Sequence, residues 1–416
     1  MIGDAALTWN LLRTARRSSH LPTDWFRRRQ VSVLQRLLRH AYDKVPLYRN
    51  LYDEAGFRPD VFQTLDDLPR IPSLTKRRLQ DTSPGDTVSR GTDLLTCHGV
   101  GTSGTTGIPL QVWLGQYERC WQRAVAWRIL FEHGFSWRDK TLEIRMIPGR
   151  CYAVQKLGLA PKEWLSILDS PSVWVDRIAE VHYDCIVAGA GTLDLLTAAA
   201  EARRLKSPRL VISDSEPLTP TIRSRIRTVF GVDPVDVYGL VEVSNFAWQC
   251  EQRAGLHVSA DSHIVEVAAP AGVPGPLTVT ALGMWTMPII RYETGDLAET
   301  AEAPCSCGRN LPLLKAVHGR VVDSIIVAGG RHLLWPFFHE LLGSERDIVQ
   351  WQVHQVGESN LVVRTVLRSD AVDTAERLQT LIRGYLPQDI QILIEPVTSI
   401  PVEANGKQRL VIPFSR

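Results

Sequence analysis

His98 to Leu110 reads HGVGTSGTTGIPL, four glycines and four hydroxyl residues between apolar flanks. Such a backbone can bend sharply and is dense with N–H and O–H donors, which suits the oxygens of a phosphate. A Walker-type loop needs Lys and Ser or Thr directly after its last glycine, whereas Gly107 is followed by Ile108 and Pro109, which argues against a P-loop NTPase. On its own the stretch could equally be a polar turn between two strands. The segments around it decide.

With 416 residues the chain exceeds what one core usually organises, and at least two domains are expected. Forty-seven basic against 45 acidic residues leave a net charge of +2, which argues against a nucleic-acid coat or an acidic tail. The arginines near the start, Arg13, Arg16, Arg17 and Arg27 to Arg29, read as solvated helix faces. Seven cysteines without disulfide-framework spacing fit a reducing compartment. No apolar run reaches the roughly 18 residues of a membrane span and no signal segment opens the chain. The expectation is a cytoplasmic protein with neither membrane nor nucleic-acid partner.

Upstream of the glycine-rich stretch, Val33, Leu34, Leu37, Leu38 and Ala41 share one helical face while Arg36 and Arg39 face out. Pro46 is expected to break that helix, Leu47 to Ala55 to form the next, and Ser73 or Thr75 to cap a further one. Residues 1–95 thus read as a helical lead-in. Downstream, Tyr117 to Gly134 is a candidate helix and TLEIRMI, from Thr141, a strand. Two units beginning at Asp184 and Arg209 then repeat strand, turn and helix, the pattern of an α/β domain with ligand sites at the carboxyl ends of its strands. From about Leu256 to Leu297, short strands broken by Pro and Gly predict a small β-subdomain. The last hundred residues alternate strands with a helix over Ala371 to Leu386. The expected fold class is α/β: a large N-terminal domain, 1–319, of α/β sheets with that β-subdomain and the lead-in, and a small α+β C-terminal domain, 320–416.

Four segments carry chemistry in a fixed order: Thr102 to Gly107, Tyr238 to Glu242 (YGLVE), Arg291 to Asp296 (RYETGD), and Gly406-Lys407 near the C-terminus. Taken singly, each acidic residue among them is more often a surface or capping carboxylate. Taken in order, and with the lead-in FQTLDDLPRIPSLTK, they resemble the adenylate-forming superfamily of acyl-CoA ligases, peptide-synthetase adenylation domains and luciferases. The lead-in is similar to that of the phenylacetate:coenzyme A ligase branch, and the resemblance runs from about Val31 onward.

The resemblance implies a role for each position. Thr102, Ser103, Gly104, Thr105, Thr106 and Gly107 would fold over the β- and γ-phosphates of ATP. Tyr238 and Gly239 would lie beside adenine, and Glu242 would hold Mg2+, which a single carboxylate with phosphates and water can satisfy. Ser215 and Glu216, in SDSEP, stand where the family has Gly-Gly-Glu or Ser-Gly-Glu along the adenine edge. Val241 replaces the usual Thr. Asp296, an acceptor-only group with two oxygens, would take both ribose hydroxyls, joined by Arg320. Lys407 would bridge the acid carboxylate and the α-phosphate, where an ammonium offsets growing negative charge. The family hinges on Asp or Lys two residues after that arginine; here the position is Val322, with Asp323 next. The acid pocket is expected between Trp127, the Gly189-Ala190-Gly191 turn, Leu240 and Val241.

The implied reaction is ATP-dependent activation of a carboxylic acid, aromatic by resemblance, to acyl-AMP, followed by rotation of a mobile C-terminal domain and transfer to coenzyme A. Transfer to a carrier protein or an amine is one alternative, and a nucleotide-binding relative without turnover is another. A homodimer stays open. Separately, Cys305-Ser306-Cys307 follows Cys250 and His257 by roughly 50 residues. Three sulfurs and one imidazole make a closed tetrahedral Zn2+ site of the structural kind, with free thiols as the alternative. Some relatives in the resembled branch carry metal at the matching CxCGR turn. His263 is a rival imidazole, while Cys97, Cys120, Cys151 and Cys185 read as small buried apolar residues.

Overall fold

In the computed structural model, residues 1, 102–109, 147–154, 156–157, 201–202, 204, 321–323, 328–330, 344, 346, 369–372, 402–408 and 415–416 lie outside the description that follows. Five helices open the chain: α1 (Ile2–Ser18), α2 (Thr23–Lys44), α3 (Pro46–Glu54), α4 (Lys76–Gln80) and α5 (Pro84–Thr87). The anticipated stripe of α2, Val33, Leu34, Leu37, Leu38 and Ala41, is buried, and Phe26 extends it. Pro46 takes the first position of α3, where its missing N–H costs nothing. Thr75 rather than Ser73 caps α4, its hydroxyl accepting from the Arg78 N–H.

Strands β1 (His98–Gly101) and β2 (Gln111–Leu114) pair antiparallel around the glycine-rich stretch, and α6 (Gln116–Glu132) follows. Next come β3 (Thr141–Arg145), β4 (Lys162–Ser166), α7 (Pro171–Glu180), β5 (Cys185–Gly189), α8 (Ala190–Ala200), β6 (Leu210–Asp214), α9 (Pro220–Phe230) and β7 (Val235–Leu240). The antiparallel strands are β8 (Ser244–Gln249), β9 (Leu256–Val258), β10 (His263–Val267), β11 (Gly275–Ala281), β12 (Tyr292–Thr300) and β13 (Leu313–Arg320).

Strand β7 is the seam. It pairs parallel with β6 on one side and antiparallel with β8 on the other. The result is a single sheet of 11 strands, ordered β10-β11-β12-β13-β9-β8-β7-β6-β5-β3-β4. The short strands expected to form a small β-subdomain are therefore hydrogen-bonded into the parallel half. Gly239 makes the seam possible: a Cβ there would come within 2.4 Å of the Asn245 Cα, a distance that forces the backbones apart. The lead-in is tied to the same sheet, because the Leu74 N–H donates to the Arg291 carbonyl and the Glu293 N–H to the Leu74 carbonyl.

Beyond β13 lie the hairpin β14 (Ile325–Val327) and β15 (Arg331–Leu333), then α10 (Trp335–Leu342), β16 (Ile348–Gly357), β17 (Asn360–Leu367), α11 (Asp373–Arg383), β18 (Gln391–Pro396) and β19 (Val411–Ile412). Four of these strands form a separate sheet, β18-β17-β16-β19. It has its own core, with Phe338, Leu342, Val353, Val363, Leu378 and Ile382 fully buried. Among the described residues no helix is long and apolar enough to cross a membrane.

Candidate active site

The carboxyl ends of β6 and β7 meet β12 and β13 at one cleft, and each strand delivers a motif residue to it. The Tyr238 hydroxyl donates to Asp296 Oδ2 at 2.6 Å. Asp296 is directly opposite Arg320 across the β12–β13 pairing, with Arg320 Nε 3.8 Å from its Oδ1. Burial, then the Asp296 charge, pushes the Tyr238 phenol well above its usual range, so it remains a donor. Glu242, 5% exposed, follows β7 and accepts from the Tyr292 hydroxyl at 2.9 Å. Tyr292, raised likewise by burial and by Glu242, stays protonated. Leu240 is half-buried beside them and Val241 is 44% exposed at the turn into β8.

Two residues here escaped the sequence reading. Tyr292 sits inside RYETGD itself, and strand alternation puts Tyr292, Thr294 and Asp296 on one buried face. Lys76, first residue of α4, is brought in by the Leu74 bridge to β12. Burial and the Arg320 guanidinium push its ammonium below the ordinary lysine value, while Glu242 pulls the other way. A cation thus stands within electrostatic reach of the carboxylate.

At the neighbouring strand ends, Arg145 makes a bidentate pair with Asp214, 2.7 and 2.6 Å. Ser215 occupies the left-handed region, φ 69°, where the resembled family has glycine, and its hydroxyl donates to Asp214 Oδ1. The tether of Arg145 and Asp214 holds a conformation that a Cβ disfavours. Glu216 then accepts from the Gly191 N–H at 2.8 Å, fixing the Gly189-Ala190-Gly191 turn at the start of α8. Asp236 on β7 is raised to about 7 by burial, against the pull of Arg223.

Trp127 is not brought to this cleft. Its ring lies 5.1 Å from Trp137, in a cluster with Trp9 and Phe131. Trp137 precedes β3, at the amino ends of the parallel strands, whereas the cleft is at their carboxyl ends. The α6 face that carries Trp121, Val125 and Arg128 is the one turned into the fold, and α1 covers the other. Thr102 to Gly107, Val322, Asp323 and Lys407 lie outside the described residues.

A second cluster forms where β8, β9 and the β12–β13 turn converge. The Cys250 and Cys305 sulfurs are 3.6 Å apart and Cys307 Sγ is 3.3 Å from His257 Nε2. All four ligand atoms lie within 4.8 Å of one another. Burial raises the Cys250 thiol to about 12, while at Cys307 burial is outweighed by hydrogen bonds from Arg309, Cys305 and Cys250 together, which hold it below the ordinary thiol value. Burial, with Arg309, depresses His257 to about 4, so it is a neutral imidazole with a lone pair to give. His263 is elsewhere, between Trp121 and Phe246 and bonded to Ser262 and the Val243 carbonyl.

No family model matches the chain. The phenylacetate-coenzyme A ligase of Thermus thermophilus is 30% identical to it, across 95% of this chain and 98% of that protein. Among solved structures, 2-hydroxyisobutyryl-CoA ligase in its postadenylation state, with an acyl-AMP, superposes with a TM-score of 0.80 at 20% identity, covering 96% of this chain and 91% of the other. The same ligase in its thioesterification state, with acyl-AMP and CoA, gives 0.65 at 22% identity, covering 95% and 91%. A cleft assembled from the ordered YGLVE and RYETGD segments, on a fold shared with acyl-CoA ligases and in a chain aligned end to end with such a relative, leads to one conclusion: the protein belongs to the phenylacetate-coenzyme A ligase family of adenylate-forming enzymes.

Proposed function

We propose that the cleft around Asp296 runs the two half-reactions of an AMP-forming acid:coenzyme A ligase on an aromatic carboxylic acid, with Mg2+ held at Glu242 and Zn2+ at the cysteine cluster. In the first half-reaction an oxygen of the acid attacks the α-phosphorus of ATP and pyrophosphate leaves. In the second, the coenzyme A sulfur attacks the acyl carbon, loses its proton, and AMP leaves. No protein nucleophile is required, so positioning and electrostatics do the work.

The residues divide accordingly. Asp296 offers its carboxylate to the ribose, its orientation fixed by Tyr238 and Arg320. Tyr292 turns Glu242 so that one hard oxygen ligand faces the cleft, a donor suited to Mg2+, which would neutralise phosphate charge. Lys76, already partly desolvated, supplies a cation beside it. Lys407 is assigned the α-phosphate and acid carboxylate in adenylation, and Ser215, Glu216 and Gly239 the adenine edge. The Thr102–Gly107 segment is assigned the outer phosphates. The mobile part hinges at Val322 or Asp323, and 320–416 moves as a unit. Gly189, Ala190, Gly191, Leu240 and Val241 border the acid.

The Zn2+ reading rests on the donor set: three thiols and a neutral imidazole close enough for one tetrahedral ion, with no position left for water. The carrying observation for the ligase reading is the convergence of Lys76, Tyr238, Glu242, Tyr292, Asp296 and Arg320, from segments more than 240 residues apart in sequence, on one cleft. Acid-dependent exchange of pyrophosphate into ATP, across a panel of aryl and alkyl acids, tests it. Exchange supported by aromatic acids and thioester formation with free coenzyme A are expected; exchange with no acid overturns the reading.

A further inference from the structure

Helix α10, the first helix of the C-terminal part, lies across α8 and α9 of the large part, and its polar contacts are concentrated in one place. His339 is 4% exposed. Its Nε2 lies 3.3 Å from Asp194 Oδ2 and its Nδ1 3.1 Å from Thr219 Oγ1. Glu340 accepts from both the backbone N–H and the hydroxyl of Thr221, at 3.1 and 3.0 Å. Arg225 donates to Asp194 at 2.6 Å and also to the Gly343 carbonyl at the end of α10. Trp335 packs against both cores at once.

These contacts are attached to the substrate cleft by short rigid connections. Asp194 is one helical turn beyond Gly191, whose N–H is held by Glu216. Thr219 is the N-cap of α9 and sits two residues after Pro217, at the end of the Asp214–Pro217 segment along the adenine edge. The overall arrangement also follows the postadenylation neighbour more closely than the thioesterification one. A rotation of the C-terminal part that admits coenzyme A would have to break a buried His–Asp contact, a bidentate Glu340 pairing and the Arg225 bridge together. Left half-broken, such a cluster strands buried polar groups, so it acts as one unit.

We propose that Asp194, Thr219, Thr221 and Arg225 with His339 and Glu340 form a latch that holds the C-terminal part in the adenylating arrangement and releases it as a unit for thioester formation. His339 is a positioning residue: it acts on the reaction only by holding the C-terminal part in the adenylating arrangement. The inference rests on the two-step ligase reading, and the test separates the two. His339→Ala and Glu340→Ala would be compared with the unmodified enzyme in two assays: acid-dependent ATP–pyrophosphate exchange, and acyl transfer to coenzyme A from preformed acyl-AMP. Exchange should fall about tenfold, the scale of a coupling between two conformations, with transfer unchanged or faster. His339→Gln, which keeps a donor for Asp194, should recover part of the exchange. Equal loss in both assays, or unaltered exchange in both variants, overturns the latch. An unmodified enzyme that makes no acyl-AMP overturns the ligase reading beneath it.

Discussion

The cleft around Asp296 and the cysteine cluster both draw on β12 and β13, yet they are assembled in opposite ways. In the cleft, groups from β7, β12 and β13 meet in pairs, Tyr238 and Arg320 on Asp296 and Tyr292 on Glu242, and both carboxylates are buried. In the cluster, four ligand atoms turn inward on one point, and Arg309 closes the rim by pairing with Glu132 and Glu251. The cleft carboxylates are each oriented by a phenol from a neighbouring strand. The thiols and imidazole of the cluster turn towards one another. Lesions in the two places should therefore have different signatures, rate in one and stability in the other.

The largest effect expected is on rate. Lys407→Ala should slow acyl-AMP formation by roughly 100-fold or more, the scale of losing one preorganised charge-stabilising donor, with transfer from preformed acyl-AMP and melting temperature nearly intact. A matching loss in both half-reactions would break the division of labour. The mirror-image lesion is Cys305→Ser, expected to lower bound zinc from about one ion per chain and to lower the melting temperature before it alters the rate of the fraction that remains folded. Metal analysis with thermal melts reads this, and a metal-free chain that melts at the same temperature would remove the contrast.

Smaller changes sharpen it. Tyr238→Phe removes the donor that fixes Asp296, and the KM for ATP should rise about tenfold, the scale of one hydrogen bond to a charged group, with kcat less affected. An unchanged KM would mean Asp296 is held by other means. The smallest effect is a slope. Asp236 is raised to about 7, so the folded chain binds its proton more tightly than the unfolded chain does. The stability this brings is fully present below the unfolded carboxylate value near 4 and is lost as pH rises towards 7. Asp236→Asn should flatten the fall in melting temperature across that window; an identical slope would show that other groups set it.

The motifs are legible in the sequence through their joint order, which resembles the adenylate-forming superfamily, because singly each acidic residue reads as a surface or capping carboxylate. Tyr238, Glu242 and Asp296 are found through that order, and the Cys250–His257–Cys305–Cys307 group through its donor types. Lys76 could not be found, since what brings it to Glu242 is a backbone bridge from Leu74 to Tyr292, 218 positions apart, which no local pattern encodes. Trp127 went astray because α6 carries aromatic residues on two faces and only the packing of α1 shows which one is outward. The continuity of the sheet through β7 was equally hidden: Pro and Gly breaks mark where strands end but not which strand each one joins. Ser215 shows the converse, a departure from the family's glycine that becomes intelligible once Arg145 and Asp214 are seen to brace it.

Strand β13 begins opposite His257 and ends opposite Asp296. Its eight residues span about 27 Å at the usual rise, so one strand runs from the cysteine cluster to the start of the C-terminal part. If the C-terminal part rotates as proposed, the torque would be carried down this strand to the cysteine cluster, and Asp296 beside its tip would not need to shift. Loosening the cluster would then blur the timing of the swing from the far end of the sheet.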